Sequence, residues 1–147
     1  MPSELEHIAI ANQNHDLLNH LIDHENGRFM AWVATVAFYK AVHVVEAVFS
    51  GQDLKNARHS GSHDERSRTL GRSQFHLVAK PYEHLLNVSR VARYMHGGHS
   101  DFLAYIPRER VLGNLLGKHL RAVECECAKF LSEDGKKSLR RYERFGS

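Results

Sequence analysis

The chain is predicted to be all-α on three observations. Apolar residues recur at helical spacing and almost nowhere in strict alternation. The segments that carry this spacing are bracketed by helix start and stop signals. The 147 residues suffice for one core, burying roughly 70% of the surface the unfolded chain exposes. A compact up-and-down bundle of four main helices plus one short helix, forming a single domain over residues 1–147, is the architecture expected.

The elements follow in order. Leu5, Ile8, Ala9, Leu17, Leu18, Leu21 and Ile22 place an amphipathic helix over about Ser3 to Glu25, with Ser3 and Glu6 as a capping box and Asn26-Gly27 as the stop. A second helix from about Phe29 to Ser50 carries Trp32, Val33, Val36, Ala37, Val42, Val44, Val45, Val48 and Phe49. It is apolar around most of its circumference, which makes it the central element. Gln52 to Gly61 has no periodic apolar positions and is expected to be a loop, after which Ser62 caps a short helix with Glu65 in its first turn. From about Arg72 to Met95 another helix bears Phe75, Leu77, Val78, Leu85, Leu86, Val88, Val91 and Ala92, with Pro81 expected to kink or divide it. A loop ends at Ile106-Pro107, and the last helix spans about Arg108 to Leu131. A short basic tail, Lys136 to Arg144, is expected to be solvated.

Composition narrows the function classes. Net charge is +3 with pI near 9.0, and twelve histidines add positive charge below about pH 6.5. This mild bias favours anionic partners. Cys125 and Cys127 are two apart, fall on different helix faces and cannot close a disulfide, as suits a reducing compartment. The opening residues lack a secretion signal, and no run of about 18 apolar residues is apparent. A cytoplasmic protein with no membrane partner is expected.

Three positions on the second helix carry chemistry. Tyr39 and His43 are i and i+4, and Glu46 follows His43 at i+3. On so apolar a helix they should line an internal polar pocket, because each buried without partners costs about 1–3 kcal/mol. Satisfaction of His43 by Glu46, Tyr39 or a carbonyl is the bland alternative. Arg58 and His63 enclose the polar loop, and His63 shares a face with Arg66. Arg90 and Arg93 are i and i+3, and Ser89 and Arg93 are i and i+4. A guanidinium fork suits phosphate oxygens and an imidazole moves protons near neutrality, so these residues point to phosphate chemistry. Solvated surface arginines are the competing explanation. For metals, His20 with His24, His96 with His99, Glu4 with His7 and His43 with Glu46 have suggestive spacings, but only Glu4-His7 has the order of a di-iron bundle. The histidines of the first helix, His15, His20 and His24, are better explained as a solvated face. No metal and no cofactor are expected.

Taken together, Ala37 to His43, Ser62-His63-Asp64-Glu65-Arg66 and Ser89 to Tyr94 resemble the HEPN superfamily of small helical bundles, over about Phe29 to Met95. Active members are metal-independent RNases, often toxins of toxin-antitoxin systems or phage-defence effectors, and typically dimers. Their signature is an Arg, four to six residues, then a His, commonly with a polar residue after the Arg. Arg58 to His63 fits with His59 after the Arg; Arg90 to His96 and Arg93 to His99 fit the spacing alone. In the family the motif sits near the start of the last core helix, whereas here Arg58 and His63 follow the second helix. The resemblance implies catalytic roles for Arg58, His63, Arg93 and His96, with Tyr39, His43, Arg66, Arg90 and Tyr94 supporting or binding substrate. RNA, a second copy of the chain and an antitoxin are the partners it implies. A non-catalytic helical module binding a protein or nucleotide through the same groove is the alternative.

Overall fold

A computed structural model describes residues 2–24, 29–52, 63–94 and 99–143. Seven α-helices run through them: α1 (Glu4–His24), α2 (Met30–Gly51), α3 (His63–Leu70), α4 (His76–Tyr94), α5 (His99–Tyr105), α6 (Arg121–Ala128) and α7 (Glu133–Ser138). A 3-10 turn, Ser73–Phe75, precedes α4, and a π-helical segment, Arg110–Leu120, leads into α6. No strand occurs among the described residues, so the chain is an all-α bundle. Three short helices, rather than one, accompany the four long helical segments.

Local chemistry explains several boundaries. The capping box forms as expected, Glu6 donating its backbone N–H to Ser3 Oγ at 3.2 Å and Ser3 donating its own to Glu6 Oε1 at 3.3 Å. α3 opens on Asp64 and Glu65 and closes on Arg68, each charge favoured by the helix dipole. Its expected cap, Ser62, lies outside the described residues. α4 runs through Pro81 without dividing, and the segment before it is the 3-10 turn instead of a first helical turn from Arg72.

α2 is the hub. α1, α4, α5, the π-helical segment and α6 all pack on it, and fifteen of its side chains are buried, from Met30 to Phe49. Trp32 is not among them; it stands on the outer face, 59% exposed. By length and composition α2 would also cross a membrane, with a mean hydropathy of 1.4 over its most apolar window. That window is 78% buried within the bundle, which accounts for its apolarity without a bilayer.

The basic tail is the largest departure. Instead of a solvated strand, residues 133–143 fold back on the body: Ser132 caps α7 by accepting the Gly135 N–H at 3.0 Å, and Glu4 accepts from the Ser132 hydroxyl at 2.6 Å. Gly135 packs so close to α1 that a Cβ there would collide with the Glu4 carboxylate. Beyond α7, Arg140 pairs with Asp16 at 2.6 Å and donates its backbone N–H to Asn12 at 2.9 Å, while Leu139 and Tyr142 enter the core. Lysines and arginines alternate with buried residues here, so the charge of the segment conceals its packing.

Candidate functional site

The i, i+4, i+7 face of α2 presents Tyr39, His43 and Glu46, and α3, which packs on α4, sends Arg66 to Glu46 and His63 to the neighbouring Phe38 ring. Arg66 is only 7% exposed. Its Nε donates to Glu46 Oε1 at 2.8 Å, one Nη1 hydrogen is directed at His63 Nδ1 at 3.1 Å, and Nη1 also reaches the Tyr82 hydroxyl of α4 at 3.4 Å. A guanidinium only donates, so His63 Nδ1 accepts and the neutral ring carries its hydrogen on Nε2. Burial depresses the His63 pKa below the ordinary imidazole value, and the positive charges of Arg66, Arg93 and Arg90 depress it further. The imidazole is therefore an unprotonated base at neutral pH. Burial also keeps the Tyr82 phenol protonated, holding its pKa above the usual value.

Behind Glu46 lies an imidazole pair. His43 Nδ1 is 3.1 Å from His7 Nδ1 of α1, so one ring must donate and the other accept. Burial lowers both pKa values, and Glu46 opposes the shift in each. The bland expectation for His43 named Glu46, Tyr39 or a carbonyl as partner; the observed partner is His7.

The second guanidinium approaches from α4. Arg93 donates from Nη1 to the Tyr39 hydroxyl at 3.1 Å, and from Nε and Nη2 to the carbonyl and hydroxyl of Ser89 at 3.3 Å each. Its Cζ lies 5.6 Å from the Phe38 ring centre and 5.3 Å from that of Tyr94. Phe38 is fully buried and also packs on His63 at 5.3 Å between ring centres. It is the apolar wedge between the two halves of the site.

Thus Tyr39, His43, His63, Arg66 and Arg93 meet at the junction of α2, α3 and α4, with Arg90 and Tyr94 exposed on the rim of α4. Arg58 and His96 lie outside the described residues. Among the described residues no group of three or more His, Cys, Asp and Glu side chains is arranged to hold a metal ion. Tyr82 was missed from sequence, although it sits a helical repeat of seven from Ser89 on α4, a spacing that offered a signal. His7 was picked out only for its metal-type spacing with Glu4; its pairing with His43, on another helix, had no local signal.

A second polar cluster went unseen. Lys40 and Glu124 are both fully buried and paired at 2.7 Å. Glu124 also accepts the backbone N–H of Tyr142 at 3.0 Å, and Lys40 donates to Nδ1 of His15 at 2.9 Å. His15 is buried rather than part of a solvated face, because it serves this lysine. Its neutral ring accepts at Nδ1 and carries its hydrogen on Nε2, 3.2 Å from the amide of Asn19. Turning that amide over gives the buried Asn19 Oδ1, otherwise without a hydrogen bond, its donor.

These neutral imidazoles make stability depend on pH. His15 is held down to about 4 by burial and by Lys40, His119 to about 4 by burial and by His84, and His7 and His43 are lowered by burial. An unfolded imidazole takes up its proton near pH 6.5, whereas the folded ones resist. Their contribution is intact above pH 6.5 and is lost as pH falls toward 4. The urea midpoint is expected to drop between pH 7 and pH 5; a midpoint that holds or rises would contradict the burial of these rings as neutral groups.

No family model matches the chain, and no curated protein or solved structure matches it either, which leaves the chemistry of these side chains as the ground for function.

Proposed function

We propose that the protein is a HEPN-like, metal-independent endoribonuclease acting at the junction of α2, α3 and α4. The observation that carries this reading is the His63 imidazole, 3.1 Å from Arg66 Nη1 and packed on the Phe38 ring that the Arg93 guanidinium also contacts. In the reaction the RNA 2′-OH attacks the adjacent phosphorus, its proton passes to a base, and the 5′ oxygen leaves with a proton from an acid. The products are a 2′,3′-cyclic phosphate and a free 5′-OH. His63 suits the base. A phosphate oxygen that draws the Arg66 N–H away from Nδ1 frees that nitrogen to accept the proton, and Arg93 steadies the charge growing on the phosphate. The resemblance adds Arg58 as a phosphate contact, His96 as the second proton carrier and a homodimer as the working form, in a cytoplasmic toxin or phage-defence setting.

One observation favours a second reading. Arg66 is already engaged by Glu46, Tyr82 and His63, as expected of an architectural arginine in a non-catalytic binding module. Incubation of the protein with total RNA in excess chelator separates the two. Fragments ending in cyclic phosphate are expected from the nuclease. Absence of cleavage at high protein concentration, together with weaker ligand binding by Arg93→Ala, would establish the binding module instead.

A further inference from the structure

Next to this site, α4 and α5 enclose an open groove of about 480 Å³ lined by Arg90, Val91, Tyr94 and Tyr105. Two large aromatic side chains stand out into solvent there, Tyr94 at 69% and Tyr105 at 72% exposure. Neither is loosely placed. Tyr94 lies one turn beyond Arg90 on α4 and carries the Arg93 guanidinium 5.3 Å from its ring centre. Tyr105 ends α5, a helix anchored on α2 by the fully buried Phe102 three residues earlier.

We propose that this groove is a stacking subsite for unpaired bases of single-stranded RNA, with Arg90 on the sugar-phosphate backbone, an inference that rests on the nuclease reading above. Flat aromatic faces beside a guanidinium are the elements that hold single strands without regard to sequence, since every base offers a π-face and every linkage an anion. A protein interface also uses Tyr and Arg, but it seats them in well-packed, desolvated pockets; here the groove is open and both rings stand mostly in solvent. Continuity supports the same occupant. Arg93 contacts Tyr94 on the groove side and Tyr39 on the site side, and the Arg90 charge reaches far enough to depress the His63 pKa. A strand whose bases lie on Tyr94 and Tyr105 therefore passes its next phosphate to Arg93 and His63. Bases stacked within a duplex have no free face, so the groove selects unpaired substrate.

The test uses a fluorescent, single-stranded 2′-O-methyl oligoribonucleotide of about ten nucleotides, long enough for one such site and uncleavable because its 2′ oxygens cannot attack. Binding is followed by anisotropy. Joint replacement Tyr94→Ala and Tyr105→Ala, which removes two stacking rings, is expected to weaken binding about 30-fold or more. Joint replacement Tyr94→Phe and Tyr105→Phe keeps both rings and should leave affinity near the wild-type value. The duplex form of the oligonucleotide should bind more weakly than the single strand. Unchanged affinity in the alanine pair, equal binding of duplex and single strand, or no oligonucleotide binding by the wild type would each overturn the proposal. Cleavage is read separately: a protein inert toward total RNA that still binds the oligonucleotide through both tyrosines keeps the groove and loses the nuclease.

Discussion

Replacing Lys40 by Met is expected to cost about 3–5 kcal/mol of folding stability, because it leaves Glu124 buried with no cation beside it. Both partners are fully buried at 2.7 Å. Burial alone pushes the Glu124 carboxyl pKa up, and Lys40 is the main influence pulling it back. At a few degrees per kcal/mol for a domain of this size, Tm should fall by roughly 10 °C. The double variant Lys40→Met with Glu124→Leu removes both charges and should recover most of the loss, since an apolar pair of similar volume substitutes well for a buried ion pair. Glu124→Gln should cost less than Lys40→Met. Burial already lowers the Lys40 pKa, so its ammonium can shed a proton and remain as a neutral amine against His15. Urea unfolding of the four proteins checks the series; a double variant no more stable than Lys40→Met would show that the pair itself is indispensable.

The largest functional effect should come from His63→Ala, with RNA cleavage slowed about 10²- to 10⁴-fold, the usual contribution of a positioned general base. Arg93→Ala should slow it by about 10²- to 10³-fold, as loss of one charge-stabilising donor does. Neither change strands a buried charge, so both variants should unfold close to the wild type in urea. Arg66→Ala is less informative, since it also deprives Glu46 of the cation 2.8 Å away and would lower activity and stability together. Profile shape adds a second check. Because burial, Arg66 and Arg93 hold the His63 pKa below its ordinary value, the acid limb of cleavage by the wild type should set in below pH 6.5. Full activity in His63→Ala would end the assignment of the base.

Much of the architecture could be read in advance, for identifiable reasons. The Ser3–Glu6 capping box set the start of α1 because both hydrogen bonds are local. The dense apolar run of α2 announced a central helix because few surfaces could hide it otherwise. Within the site, His63 with Arg66 and Ser89 with Arg93 were legible because each pair is one helical turn apart. What escaped depends on distance along the chain. Nothing near Lys40 signals Glu124, 84 positions later, and nothing near His43 signals His7. α5 and α7 are shorter than the length at which a helix stands alone in water, so they exist through packing rather than through their own residues. The π-helical winding of Arg110–Leu120 left the apolar spacing close to that of an α-helix.

The ion pair at the centre of the bundle also dictates an order of events during synthesis. Lys40 leaves the ribosome long before Glu124 does, and until then α2 carries an ammonium that no partner can neutralise. A nascent chain ending short of α6 cannot close its interior without either hydrating that charge or discarding its proton. Final consolidation of the core must wait until residues near 124 and 142 have emerged and closed on Lys40 and Glu124.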